Sequence, residues 1–154
     1  GGEDPGELGG KTVGIVGLGR IGQTLARYVK TFGTRVVAAN YSRFLDGDTP
    51  EFVDEVYPFD NVMRVAGQCD FLVVCAALTD RTKGLINEAV FAAMPATAVL
   101  INVARGPLVD EDALYHAVTS GSIAGAAIDV WYSYPDSAHA EVPATAAWLG
   151  ELGQ

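Results

Sequence analysis

The clearest chemistry in this chain lies in Gly17-Leu18-Gly19-Arg20-Ile21-Gly22, a G-x-G-x-x-G between the β-rich run Thr12–Val16 and a segment of helical spacing. At such a junction the glycines serve separate ends: one allows the tight turn, one lets the backbone approach a pyrophosphate, one lets helix and strand pack closely. The helix N-terminus adds unpaired N–H groups and a positive dipole end, suited to phosphate. The motif therefore predicts dinucleotide binding, with Gly17, Gly19, Arg20, Ile21 and Gly22 at the pyrophosphate. A glycine turn used only for packing is the alternative. Eighteen residues after Gly22 comes Asn40, in Asn40-Tyr41-Ser42-Arg43. NAD-binding turns place Asp or Glu about 20 residues on, to bond the ribose 2′-hydroxyl. A carboxylate repels a 2′-phosphate, whereas the amide of Asn40, the hydroxyl of Ser42 and the guanidinium of Arg43 accept it. These residues favour NADP; an ordinary polar loop that takes NAD through Asn40 is the other reading.

Charge distribution singles out a second residue. The 154-residue chain carries a net charge of −9, which argues against a nucleic-acid partner. Yet Gly9–Leu45 holds six cations and no acid, a local anion-binding character, while Gly84–Gln154 holds eight acids and one cation, Arg105. A solitary arginine in an acidic half is a candidate for binding an anion. Cys69 and Cys75, six residues apart, form neither a CxxC pair nor half of a zinc site and read as buried, reduced thiols. No metal site is expected. No apolar run reaches the roughly 18 residues of a membrane span, and the start does not resemble a signal peptide, so a cytoplasmic globular protein with no membrane partner is expected.

These groups need a scaffold, and the alternation along the chain supplies one. Residues 1–10 read as a linker or expression remnant. Strands are predicted at Thr12–Val16, Arg35–Ala39, near Glu55–Tyr57, and at Phe71–Ala77, Ala98–Val103 and Ile123–Val130. Helices are predicted over Ile21–Phe32, with Ile21, Leu25, Tyr28, Val29 and Phe32 on one face, and over Asp60–Gly67, Asn87–Met94 and Glu111–Val118, the last capped by Asp110. Ser42–Pro50 reads as a loop. Short connections between alternating strands and helices imply an α/β fold: a doubly wound parallel sheet of Rossmann type, about six strands with helices on both faces. The dinucleotide-binding domain would span residues 11–135, followed by a C-terminal loop, 136–154.

Four segments carry a family resemblance: GLGRIG, Thr82-Lys83-Gly84-Leu85-Ile86, Ile101 to Glu111 (INVARGPLVDE), and Gly125 to Trp131 (GAAIDVW). Together, in this order, they closely resemble the D-isomer-specific 2-hydroxyacid dehydrogenases over residues 9–135. The resemblance implies the cofactor domain of an enzyme that moves a hydride between NAD(P)H and a 2-keto or D-2-hydroxy acid, and a homodimer. It implies that Arg105 binds the substrate carboxylate and keto oxygen, a task for a planar, permanently charged fork. It also implies cofactor contacts at Asp129, at Cys75, Ala77 and Thr82, and at Val103 and Ala104. The family glutamate before the loop proline corresponds to Tyr134, before Pro135. Tyrosine is neutral at pH 7, so it orients a histidine but stabilises its cation only weakly. The family's Pro-His general acid would fall beyond Gln154; His139, in Ala-His-Ala, does not match it, and His116 falls in a helix. The isolated chain is therefore expected not to turn over. The other function consistent with these residues is a dinucleotide-sensing, corepressor-like interaction module without turnover.

Overall fold

The computed structural model describes residues 7–41 and 43–129. Six strands, β1 (Thr12–Val16), β2 (Arg35–Asn40), β3 (Glu55–Pro58), β4 (Phe71–Val74), β5 (Val99–Asn102) and β6 (Gly125–Ile128), form one sheet in the order β3-β2-β1-β4-β5-β6. Every pairing is parallel. The chain winds outward from β1 on one side and from β4 on the other, so the strand order reverses between those two. Parallel strands covered on both faces read as nearly unbroken apolar runs, and the burial of β1, β2 and β4 follows that rule.

The period-2 alternation of each strand divides the core in two. Val13, Ile15, Val36, Ala38 and Val73 face α1 (Arg20–Lys30), whereas Val37, Ala39, Leu72, Val74 and Leu100 face the opposite layer. That layer consists of α2 (Val62–Ala66), α3 (Glu88–Ala93) and α4 (Glu111–Thr119). Two of its helices start on side-chain caps: the Asn87 amide oxygen accepts the Val90 N–H at 3.1 Å, and the Asp110 carboxylate accepts the Ala113 N–H at 2.9 Å.

The differences from the expected elements have local causes. The helix expected at Asp60–Gly67 opens with a 3-10 turn, Phe59–Asn61, before α2. Helix α1 buries only part of the apolar face expected of it. Gly22 and Ala26 are small enough to let the helix sit close to the sheet, with Leu25 and Val29 beside them, so Ile21 and Tyr28 are left 61 and 64% exposed; Phe32, 63% exposed, lies beyond the helix end at Lys30. Strand β4 stops at Val74, three residues short of the expected end. The Cys75 N–H still bonds the Val16 carbonyl at 2.8 Å, but the chain then leaves the sheet beside Gly17. Strands β5 and β6 are shorter than expected at both ends: Ala98 and Val103 lie outside β5, and Ile123, Ala124 and Asp129 outside β6, while Val130 lies outside the described residues.

Candidate functional site

In open parallel sheets the crevice lies beyond the carboxyl ends of the strands, where the strand order reverses. Here the ends of β1, β2, β4 and β5 open onto one cleft of 1210 Å³, above the roughly 300–1,000 Å³ of drug-sized sites and suited to an extended ligand.

The turn after β1 forms one wall. Gly17 has φ +98°, which L side chains rarely adopt, and a Cβ there would lie 2.6 Å from the Ala76 Cα. A Cβ on Gly22 would lie 2.0 Å from the Gly17 carbonyl oxygen, so this position fixes how closely α1 approaches β1. Gly19 is different: a Cβ there meets nothing within 4 Å. It caps α1 without a side-chain hydrogen bond, and the helix has no acid in its first turn, which leaves first-turn N–H groups for an anion. Arg20 and Ile21 line the cleft beside it.

Asn40, at the end of β2, ties this turn to the next loop. Its side-chain oxygen accepts the Leu18 N–H at 3.2 Å, and its amide donates to the Arg43 carbonyl at 3.1 Å. The Arg43 guanidinium lies 4.6 Å from the Phe44 ring, and Arg43 does not line the cleft. Tyr41 does, opposite Arg81 from the loop after β4. The two side chains touch, with an Arg81 N–H donating to the Tyr41 hydroxyl and the guanidinium 4.8 Å from the ring centroid.

The loop after β4 is held by its own hydroxyls. The buried Thr82 hydroxyl donates to the Ala77 carbonyl at 2.7 Å and accepts the Thr79 N–H at 2.8 Å. Thr82 therefore lines the cleft while its hydroxyl shapes the loop. Cys75 lines the cleft half-buried, not fully buried as expected, and burial pushes its thiol up to about 11. Burial, helped by the Asp70 charge, pushes the fully buried Cys69 thiol up to about 12. Both thiols are free.

After the end of β5, Val103, Ala104 and Arg105 line the cleft. Their loop is set by Asn102, which is 1% exposed. The Asn102 side-chain oxygen accepts the Ala104 N–H at 3.1 Å, and its amide donates to the Arg105 carbonyl at 3.0 Å. The exposed Arg105 guanidinium meets no carboxylate among the described residues and borders the cleft.

Eleven of the residues singled out in the sequence therefore surround one cleft: Gly17, Gly19, Arg20, Ile21, Asn40, Cys75, Ala77, Thr82, Val103, Ala104 and Arg105. Gly22 lies beneath the turn. Asp129 is exposed just after β6, its N–H bonded to the Asn102 carbonyl at 3.1 Å, and it does not line the cleft. Ser42, Tyr134 and His139 lie outside the described residues. His116 sits in α4 with its ring 6.0 Å from that of Tyr115, away from the cleft. Sequence reading missed Tyr41, Arg81 and Asn102. Only Asn102 carried a signal, as a polar residue ending a buried strand.

Comparison with known proteins places this arrangement. Residues 3–147 match the family model for the D-isomer specific 2-hydroxyacid dehydrogenase, NAD binding domain. The chain is 44% identical over 119 residues to the human glyoxylate reductase/hydroxypyruvate reductase, covering 77% of this chain and 35% of that protein. It superimposes on a D-lactate dehydrogenase from a Sporolactobacillus species with a TM-score of 0.81 at 34% identity, covering 95% of this chain and 44% of the other. A Staphylococcus aureus NAD-dependent formate dehydrogenase in complex with NAD matches at TM-score 0.74 and 32% identity, over 86% of this chain and 38% of that one. An acyclic imino acid reductase in complex with NADPH and D-Arg also matches at 0.74, with 30% identity over 85% of this chain and 40% of the other. The chain thus spans between about a third and just under half the length of these relatives.

Proposed function

The chain belongs to the D-isomer specific 2-hydroxyacid dehydrogenase family, and on that premise we propose that it is the cofactor-binding domain of an NAD(P)-dependent oxidoreductase acting on a small 2-keto or D-2-hydroxy acid. The observation that carries this reading is that one cleft is lined both by a glycine turn shaped for pyrophosphate and by an exposed arginine, Arg105, that meets no carboxylate among the described residues. When bound, the nicotinamide supplies or takes up the hydride. The chain's own part is to hold the pyrophosphate on the N–H groups of Arg20 and Ile21. It also seats the nicotinamide end against Val103 and Ala104, and directs Arg105 at the carboxylate and keto oxygen. Asp129 and Tyr134 complete this end in the family pattern, Asp129 toward the carboxamide and Tyr134 in the place of the glutamate.

NADP is the favoured cofactor, because β2 ends on the neutral Asn40 and no carboxylate stands there to repel a 2′-phosphate of about −1.5 to −2 charge. Residues 11–135 form the cofactor domain, 1–10 a linker and 136–154 a lead into a substrate-domain segment. The whole protein is a cytoplasmic homodimer. Tyr28 on α1 and Phe32 just after its end are among the exposed apolar residues that such a contact could cover, and Tyr28→Glu with Phe32→Glu should shift a dimer to monomer in sedimentation velocity. The relatives are named as reductases and dehydrogenases, which favours the enzyme reading over a sensing module.

Titration with NADPH and NADH, followed by melting temperature, tests the proposal. Ligand at a hundred times its dissociation constant adds about 2.7 kcal/mol, or roughly 5–11 °C for a chain of this size. The larger shift should come with NADPH. A larger shift with NADH would keep the dehydrogenase reading and remove the preference for NADP. No shift with either would remove the dinucleotide reading.

A further inference from the structure

The cleft is lined by arginines at three places. Arg20 stands at the pyrophosphate turn, Arg105 after the end of β5, and Arg81 beside Tyr41, the residue that follows the end of β2. The end of β2 is where dinucleotide folds read the ribose 2′ position. Two guanidiniums come near it in sequence or space, and the structure separates them. Arg43 packs on the Phe44 ring and does not line the cleft, whereas Arg81 lines it and is held there by the Tyr41 hydroxyl and ring. We propose that Arg81, reaching from the loop after β4, is the group that reads the 2′-phosphate of NADPH, and that Tyr41 positions it.

The inference rests on the dinucleotide reading above. A guanidinium suits this role because its planar fork binds phosphate oxygens bidentately and stays charged. Its contact with Tyr41 restrains the long side chain without neutralising it, since the partner is a hydroxyl and an aromatic face, not a carboxylate. Asp80 also lines the cleft, and no ion pair joins it to Arg81 among the described residues. The loop itself is rigid enough to place Arg81, because Thr79 and Thr82 close it with their hydroxyls, including an Arg81 N–H to Thr79 bond of 3.3 Å.

Dissociation constants for NADPH and NADH, measured by calorimetry on the 154-residue chain and three variants, decide the matter. Arg81→Gln should weaken NADPH on the order of 10–100-fold, the worth of a charge-assisted contact, and change NADH by less than about threefold. Tyr41→Phe, which keeps the ring and loses the hydroxyl, should weaken NADPH by a smaller factor in the same direction. Arg43→Gln should leave both constants unchanged. Equal loss of both cofactors in Arg81→Gln, an unchanged NADPH constant there, or discrimination that follows Arg43 would each overturn the proposal. So would a parent chain that prefers NADH. A parent chain that binds neither cofactor fails the dinucleotide reading itself, an outcome distinct from all of these.

Discussion

Gly22→Ala should destabilise the chain by about 3 kcal/mol or more, the upper range for overpacking, and lower its melting temperature by roughly 6–12 °C. The new methyl would sit 2.0 Å from the Gly17 carbonyl oxygen, and its other near neighbour is the Ile15 side chain at 3.3 Å. Neither α1 nor the turn can yield cheaply. The helix is held to the sheet by Leu25, Ala26 and Val29, and the Gly17 N–H is bonded to the Ala39 carbonyl at 2.8 Å. The relief available is a shift of the helix start away from β1, which also moves the N–H groups at the cleft. Dinucleotide affinity should therefore fall together with stability.

Gly19→Ala separates those two effects. Its backbone angles suit any residue, and a methyl there meets no atom of the described residues within 4 Å. Stability should stay within about 0.5 kcal/mol of the parent, while the methyl occupies space over the helix N-terminus that a pyrophosphate needs. Loss of one or two charge-assisted N–H contacts predicts an NADPH affinity lower by roughly 10–100-fold. Denaturant melts and calorimetric titrations of both variants check this. If Gly19→Ala bound NADPH as well as the parent, the turn would be a packing device alone.

The contrast between those glycines shows how far the residue order goes as a guide. The alternation of buried runs such as Val13–Val16 and Leu72–Val74 with helical segments fixes a parallel doubly wound sheet, because burial on both faces leaves its mark on consecutive residues of a strand. The six-stranded sheet and the site's location follow from that alternation and from GLGRIG. Helix α1 shows the limit of periodicity. Ile21 and Tyr28 face outward while Leu25 and Val29 pack inward, because two small residues decide the closest approach, and spacing alone does not rank small against large. The Arg43 and Arg81 positions show another limit. Both flank the end of β2, but only one lines the cleft, since a contact between residues 41 and 81 has no counterpart in local order. Asp129, placed by resemblance, stands exposed at the end of β6, next to residues outside the described part of the chain.

Arg105→Gln, made in the whole protein that carries this chain, should lower kcat/KM for a 2-keto acid by about 10²–10⁴-fold. Two charge-assisted contacts to substrate oxygens are worth about 3–6 kcal/mol together, and each 1.36 kcal/mol is tenfold in rate. The effect should be confined to chemistry with the acid. The Arg105 guanidinium is exposed and meets no carboxylate among the described residues, while its backbone is held independently by the Asn102 amide, so folding and NADPH affinity should be nearly unchanged. Arg105→Lys should recover little, because a single ammonium cannot span carboxylate and keto oxygen as the fork does. A substrate pair gives the sharper test. The parent should prefer a 2-keto acid to the matching 2-keto amide, and Arg105→Gln should erase most of that preference by losing rate on the acid alone. Equal losses on acid and amide would mean that Arg105 shapes the cofactor end of the cleft instead of binding the substrate anion. A parallel fall in NADPH affinity would point the same way.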